Sequence, residues 1–297
     1  MSSAAVDVHQ HLWPAALVEA LRQRSTPPLL RGWALHLAGE PPFDVDPADH
    51  DVAVRAAGEA GTALVSLSSP LGIEQLPVDE SVPLLAAWHD GARELGGPFG
   101  AWASVSAVEP DLDGLKQLLT EGFVGLQVPA TSLRDPHAVE RLAPMLELCE
   151  TLGSPVLVHP GAVPASGSVE PWWPALVDYP AQQQAAWWAW HAVGRSLLPR
   201  LRLCFVAGAG LAPLHHERFA ARSGRRFVVD HDVFVDTSSY GRQGIDALTR
   251  TLGIDVVVLA SDRPYAEPPA QALLDLGAAA WHAVAVSNPN RLLEGTT

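Results

Sequence analysis

Short apolar, β-branched runs recur along this chain, and each is followed by an Ala/Leu-rich stretch of helical character. Eight runs can be read, at 5–9, 62–67, 100–106, 123–128, 155–159, 201–207, 233–237 and 255–260. Helices are expected between them at 14–24, 81–95, 111–120, 135–151, 181–198 and 243–251. The segment 135–151 shows the logic. Asp135 supplies an N-cap carboxylate, Pro136 suits the first helical position, and Gly153 follows the end. Such alternation requires parallel strands joined by crossovers. Eight units in 297 residues match the count and size of an α/β fold, the (β/α)8 TIM barrel, as a single domain over 1–297. A doubly wound open sheet is the alternative. No G-x-G-x-x-G follows the first run, so a dinucleotide fold gains little support.

Three stretches interrupt the alternation, and all follow the end of a strand, where a barrel keeps its active site. They are a Pro-rich segment at 25–47, a shorter loop at 68–79, and a Gly/Pro/Ser segment at 160–180 that carries Trp172 and Trp173. The first and third are expected as insertions over the mouth, the third as a lid.

Charge narrows the choice of partner. The formal net charge is -14, from 33 acidic against 19 basic residues. So few bases cannot assemble a patch for nucleic acid or for an anionic membrane surface. No apolar run of membrane-spanning length occurs, and the N-terminus lacks the pattern of a signal peptide. Cys149 and Cys204 lie in apolar runs and read as buried thiols. A soluble, cytoplasmic protein acting on a small molecule is the expectation.

Polar residues at strand ends carry the chemistry. His9 and His11 are spaced i, i+2 at the end of the first run, so in extended backbone both imidazoles point to one side. His159 ends the fifth run after four apolar residues, and Asp262 follows the eighth. Each has a plain structural alternative: a strand-capping histidine, or an aspartate that makes a turn or pairs with Arg263. Together they put three imidazoles and one carboxylate at one mouth. That set suits one divalent metal, Zn2+ first, with Mn2+, Fe2+ or Co2+ as alternatives. Such a metal acidifies a bound water and polarises a carbonyl.

These motifs resemble the amidohydrolase superfamily, in its amidohydrolase-related branch. That branch includes aminocarboxymuconate-semialdehyde decarboxylase, resorcylate-type decarboxylases and lactonases. The matching residues are Asp7-Val-His9-Gln-His11, Val-Leu-Val-His159-Pro160, Val235-Asp236-Thr237-Ser238, Ala260-Ser261-Asp262-Arg263-Pro264 and Asn288-Pro-Asn290-Arg291-Leu292-Leu293. The resemblance implies a (β/α)8 barrel with His9, His11, His159 and Asp262 as metal ligands or near-ligands. Binuclear members carry a carboxylated lysine at the end of strand four. Here that stretch runs from Gly122 through Gln127 to Pro129, and the only lysine of the chain is Lys116, so a mononuclear site is implied. Relatives also place a histidine at the end of strand six. Here the position falls on Val206 or Ala207.

His215 and His216 are candidates to replace that histidine as catalytic groups, against a plain reading as a solvated or helix-packed pair. Tyr240 is a candidate oxyanion donor and Arg263 a candidate carboxylate clamp. Ser238, Ser239 and Tyr265 lie near the same mouth, and Trp172 and Trp173 would shape substrate access. Trp187, Trp188 and Trp190 cannot share one helix face, so one side is expected to meet a lid or a second copy in a homodimer. Three functions follow. The first is a metal-dependent hydrolase of a small amide, lactone or cyclic substrate, with Asp262 ligating or shuttling a proton. The second is a non-oxidative decarboxylase of an aromatic or unsaturated carboxylic acid, with Asp262 protonating carbon. The third is a barrel that binds a ligand without turnover.

Overall fold

The apolar runs become strands because each buries residues on both faces, one against the barrel axis and one against the helices. The computed structural model describes residues 4–38, 40–163 and 169–295. The barrel strands are β1 (Val6–His11), β5 (Thr62–Ser66), β6 (Phe99–Ala101) and β7 (Ala103–Ser104), β8 (Leu126–Pro129), β9 (Val156–His159), β10 (Leu203–Phe205), β11 (Val233–Asp236) and β12 (Val257–Val258). β6 and β7 are one strand broken at Trp102. Parallel pairing runs β1-β5-β6 and then β7-β8-β9-β10-β11-β12. Closure comes from the Val8 amide donating to Leu259 O (2.9 Å) and the Asp262 amide donating to His9 O (3.0 Å). This is the (β/α)8 barrel.

Two cores follow from strand alternation. Val6, Val8, Leu64, Trp102, Leu157, Cys204, Val206, Phe234, Val258 and Ala260 fill the barrel interior, joined by Leu292 from the C-terminal helix. Trp102 is the largest of these, and its Nε1 donates to Val8 O (2.9 Å). The larger core lies outside the barrel wall and takes in Leu203, Phe205, Val233, Val235 and the apolar faces of the helices. The helices are α1 (Ala15–Gln23), α2 (Val52–Ala57), α3 (Val78–Arg93), α4 (Leu112–Thr120), α5 (Pro136–Leu152), α6 (Tyr179–Ala189), α7 (Arg195–Leu197), α8 (His216–Ser223) and α9 (Arg242–Leu252), followed by shorter C-terminal ones. Helix α5 starts as read, with Asp135 accepting from the Ala138 amide and Gly153 left-handed at its end. Cys149 and Cys204 are buried and unpaired by disulfide. Among the described residues no helix is long and apolar enough to cross a membrane.

The segment 25–47 is not an irregular loop. It contains β2 (Leu29–Arg31), β3 (Ala34–His36) and β4 (Phe43–Asp44), a small antiparallel sheet. Gly32 takes the left-handed turn between β2 and β3, and Leu29, Leu30 and Leu35 are buried. Residues 164–168 of the expected lid lie outside the described residues. Within its remainder, Pro174–Asp178 is already helical and runs straight into α6.

Candidate metal centre

A β-bulge in β1 decides where His9 and His11 point. Asp7 pairs with Ala63 and Gln10 with Val65, so Val8 and His9 together oppose Leu64. Val8 therefore stays in the inner core while His9 and His11 both reach the mouth. Gln10 faces the other way, donating to Asp7 and Glu59 and accepting from Arg55. His159 ends β9 opposite Pro129. Asp262 follows β12 with a left-handed backbone (φ 68°), a conformation that aspartate tolerates better than most residues.

These four residues converge. His11 Nε2 lies 3.2 Å from both His9 Nε2 and His159 Nε2. Asp262 Oδ1 is 3.2 Å from His11 Nε2 and 3.5 Å from His9 Nε2. All three histidines are at most 5% exposed. Each spends its other ring nitrogen on a fixed acceptor. His9 Nδ1 donates to Asp236 Oδ2 (3.0 Å), His11 Nδ1 to Ser66 O (3.1 Å) and His159 Nδ1 to Pro160 O (2.8 Å). Every Nε2 in the cluster therefore presents a lone pair, and Asp262 adds a carboxylate oxygen. Four acceptors in mutual contact repel one another unless a cation lies between them. The donor set fits a divalent metal bound through imidazole and carboxylate.

The electrostatics agree. Burial, reinforced by the charges of His11 and His9, drives the His159 imidazole well below its ordinary pKa and keeps it neutral. Burial also lowers His11, against the pull of Asp262. At His9 burial works the same way, but the hydrogen bond to Asp236 and the charges of Asp262, Asp236 and Asp7 outweigh it and raise its pKa.

Asp236 was not among the expected site residues, although Val235-Asp236 marks the end of a strand. It is fully buried, and its Oδ1 accepts from the Ser238 amide (3.0 Å) and hydroxyl (2.7 Å). On the opposite side of the mouth, Gln127 of β8 donates to Leu67 O (2.8 Å) and Ser69 Oγ (2.7 Å). The buried Glu74 carboxyl accepts from Ser69 and Ser104, and burial raises its pKa. This network occupies the strand-four sector where binuclear relatives were expected to differ, and it leaves Glu74 Oε2 and Gln127 Oε1 buried without a partner among the described residues.

The remaining candidates are dispersed. Arg263 pairs with Glu59 (3.1 Å) and Glu267 (2.7 Å), so its guanidinium is committed to two carboxylates. Tyr240 packs against Gly208 and Gly244. Trp172 and Trp173 are solvent-exposed at 51% and 37% and line a surface cavity with Val169 and Glu170. His216 stacks on Phe227 (3.5 Å between ring centroids), within an aromatic layer that includes Trp187 and the outward-facing Phe205. His215 lines a cavity with Gln184, Trp188, Arg218, Phe219 and Arg222. The structure thus groups neither histidine with the His9 cluster. Val206 continues the inward face of β10, and Ala207 opens a left-handed turn that runs to Leu211. Tyr265 does stand at the centre: its ring centroid is 5.5 Å from that of His11.

No protein-family profile matches the chain. A 2-amino-3-carboxymuconate-6-semialdehyde decarboxylase of Dictyostelium discoideum is 27% identical over 180 residues, 54% of this chain. The match spans about half the length of that relative, 49%. Two solved structures share the fold over nearly the whole chain. IDCase of Metarhizium anisopliae, in apo form, has a TM-score of 0.78 at 19% identity, covering 99% of this chain and 98% of that one. A 5-carboxyvanillate decarboxylase of Novosphingobium aromaticivorans, complexed with manganese and 4-hydroxy-3-methoxy-5-nitrobenzoic acid, has a TM-score of 0.71 at 15% identity. That likeness covers 98% of this chain and 96% of the other.

Proposed function

We propose, from the premise that this chain is a barrel of the amidohydrolase superfamily, that it is a metal-dependent decarboxylase of a small carboxylic acid. The observation that carries the reading is the convergence of three imidazole lone pairs and one carboxylate at the barrel mouth. Decarboxylation is preferred over the hydrolysis that the sequence put first, because the named relatives include decarboxylases by both sequence and fold.

His9, His11, His159 and Asp262 would hold the metal, with Mn2+ now as eligible as Zn2+. A divalent cation there would bind the substrate carboxylate with a neighbouring oxygen and offset negative charge. The protein does the rest. Asp236 fixes the His9 ring through Nδ1, and the Ser66 and Pro160 carbonyls fix the other two rings. Ser239 Oγ, 3.5 Å from Asp262 Oδ2, steadies the carboxyl. Asp262 first takes a proton from solvent and passes it to the carbon that bears the carboxylate; the bond from that carbon to the carboxylate breaks with its electron pair left on the carbon, and carbon dioxide leaves.

The test is carbon dioxide release from a panel of aromatic and unsaturated carboxylic acids by manganese- and zinc-loaded protein, run beside a lactone and amide panel. Carbon dioxide release that is lost in Asp262→Asn supports the proposal. Acid formation from lactones or amides, with no carbon dioxide from any acid, restores the hydrolase reading.

A further inference from the structure

One peptide unit orients His159, and that unit is held from its far side. Pro160 O accepts from His159 Nδ1 (2.8 Å). The same planar unit carries the Gly161 N–H, which points the opposite way in a trans peptide. That N–H donates to Gln182 Oε1 (2.7 Å), on the second turn of α6. A chain of hydrogen bonds therefore runs from the His159 ring, through one peptide, to the Gln182 amide. Donation by the N–H polarises the carbonyl and strengthens its bond to the imidazole.

The Gln182 amide has one orientation that works. Its oxygen faces the Gly161 N–H, and its nitrogen donates to Gly161 O and Ala162 O, each at 3.3 Å. Turning the amide over would set donor against donor. Gly161 also packs closely on the end of β8, where an added Cβ would lie 2.7 Å from Thr131 Oγ1 and 3.1 Å from Pro129 Cβ. The unit is thus gripped between α6 and β8.

The next two glutamines bond to backbone as well, but not to this unit. Gln183 Nε2 donates to Val158 O (2.9 Å). Gln184 Nε2 donates to Gly210 O (2.9 Å), in the turn after β10. Gln184 is therefore an anchor of the same kind, on the same helix, away from the peptide that orients His159.

We propose that Gln182 is a positioning residue for His159. Acting through the Pro160–Gly161 peptide, it holds the ring so that Nε2 stays beside His11 Nε2 (3.2 Å). The proposal rests on the reading of His9, His11, His159 and Asp262 as a metal site.

The test is calorimetric titration of the metal-free protein with Mn2+ and, separately, Zn2+, together with its thermal unfolding, for wild type, Gln182→Met, Gln182→Glu and Gln184→Met. Gln182→Met keeps the side-chain length and removes both hydrogen-bonding ends. It is expected to weaken metal binding roughly three- to tenfold, less than the roughly 10- to 100-fold typical of a partner that touches the ligand itself. Gln182→Glu keeps an oxygen for the Gly161 N–H and should bind metal within about twofold of wild type. Gln184→Met should lower the Tm of the metal-free protein and leave metal affinity unchanged. Wild-type affinity in Gln182→Met, or an equal loss in Gln184→Met, would overturn the proposal. So would a loss in Gln182→Glu as large as in Gln182→Met, which would make Gln182 a loop anchor acting through its nitrogen. A wild type that binds neither metal would instead remove the metal reading, and the proposal with it.

Discussion

His9 Nδ1 lies 3.0 Å from Oδ2 of Asp236, a carboxylate with no solvent exposure. The other oxygen of Asp236 is occupied by the Ser238 amide and hydroxyl, so the carboxylate cannot turn away from the histidine. Second partners of this kind fix the tautomer of a ligating histidine and raise its basicity. Asp236→Asn should keep the fold and lower Mn2+ affinity by roughly 10- to 100-fold. Isothermal titration of the metal-free protein reads this directly, and an unchanged affinity would remove Asp236 from the account.

Metal removal should destabilise the protein, because four acceptor atoms within 4.8 Å would then repel without compensation. A metal held at a hundredfold over its Kd stabilises by about 2.7 kcal/mol. The expected fall in Tm on chelation is on the order of 5 °C. In His159→Ala the chelator should change Tm little. A wild-type Tm indifferent to chelator would argue against a metal at this site.

Acid sensitivity should come from buried neutral histidines. Burial lowers His89 from 6.5 to about 4, and its Nε2 accepts from the Ser104 amide (3.2 Å). Between those two values the unfolded chain binds more protons than the folded one. This contribution to stability is therefore complete above about pH 6.5 and drains away as pH falls towards 4. The slope from one such histidine is at most about 1.4 kcal/mol per pH unit. Urea unfolding across this window should show a shallower slope in His89→Asn than in wild type.

The turn after β10 should tolerate no side chain at Gly210. Its φ is 58°, and an added Cβ would lie 2.5 Å from Pro180 O. Gly210→Ala should cost about 1–3 kcal/mol in chemical denaturation. A neutral result would mean that the contact between this turn and α6 yields easily.

Much of this protein is legible in its sequence, for identifiable reasons. Strands buried on both faces write continuous apolar runs, so all eight barrel strands could be located, and the polar residues that end them stand out. His9, His11, His159 and Asp262 were found in that way, and the structure groups all four. Three features were not legible. The bulge that lets Val8 and His9 share one partner leaves no mark in the sequence. Asp236 acts through a contact 227 residues away in the chain, which no local pattern encodes. The small sheet β2-β3-β4 was hidden by its prolines, because pairing over two or three residues needs no long β-branched run. His215 and His216 could be read either as mouth residues or as a helix-packed pair, since proximity in sequence to the end of strand six does not fix direction; His216 stacks on Phe227, outside the barrel wall.

The most direct test of the central claim is the metal content of purified protein by mass spectrometry, for wild type, His159→Ala and Asp262→Asn. One divalent metal per chain in wild type, lost in His159→Ala and reduced in Asp262→Asn, is the predicted result. Wild type without metal after growth in added Zn2+ and Mn2+, or a His159→Ala protein that keeps its full complement, would contradict it.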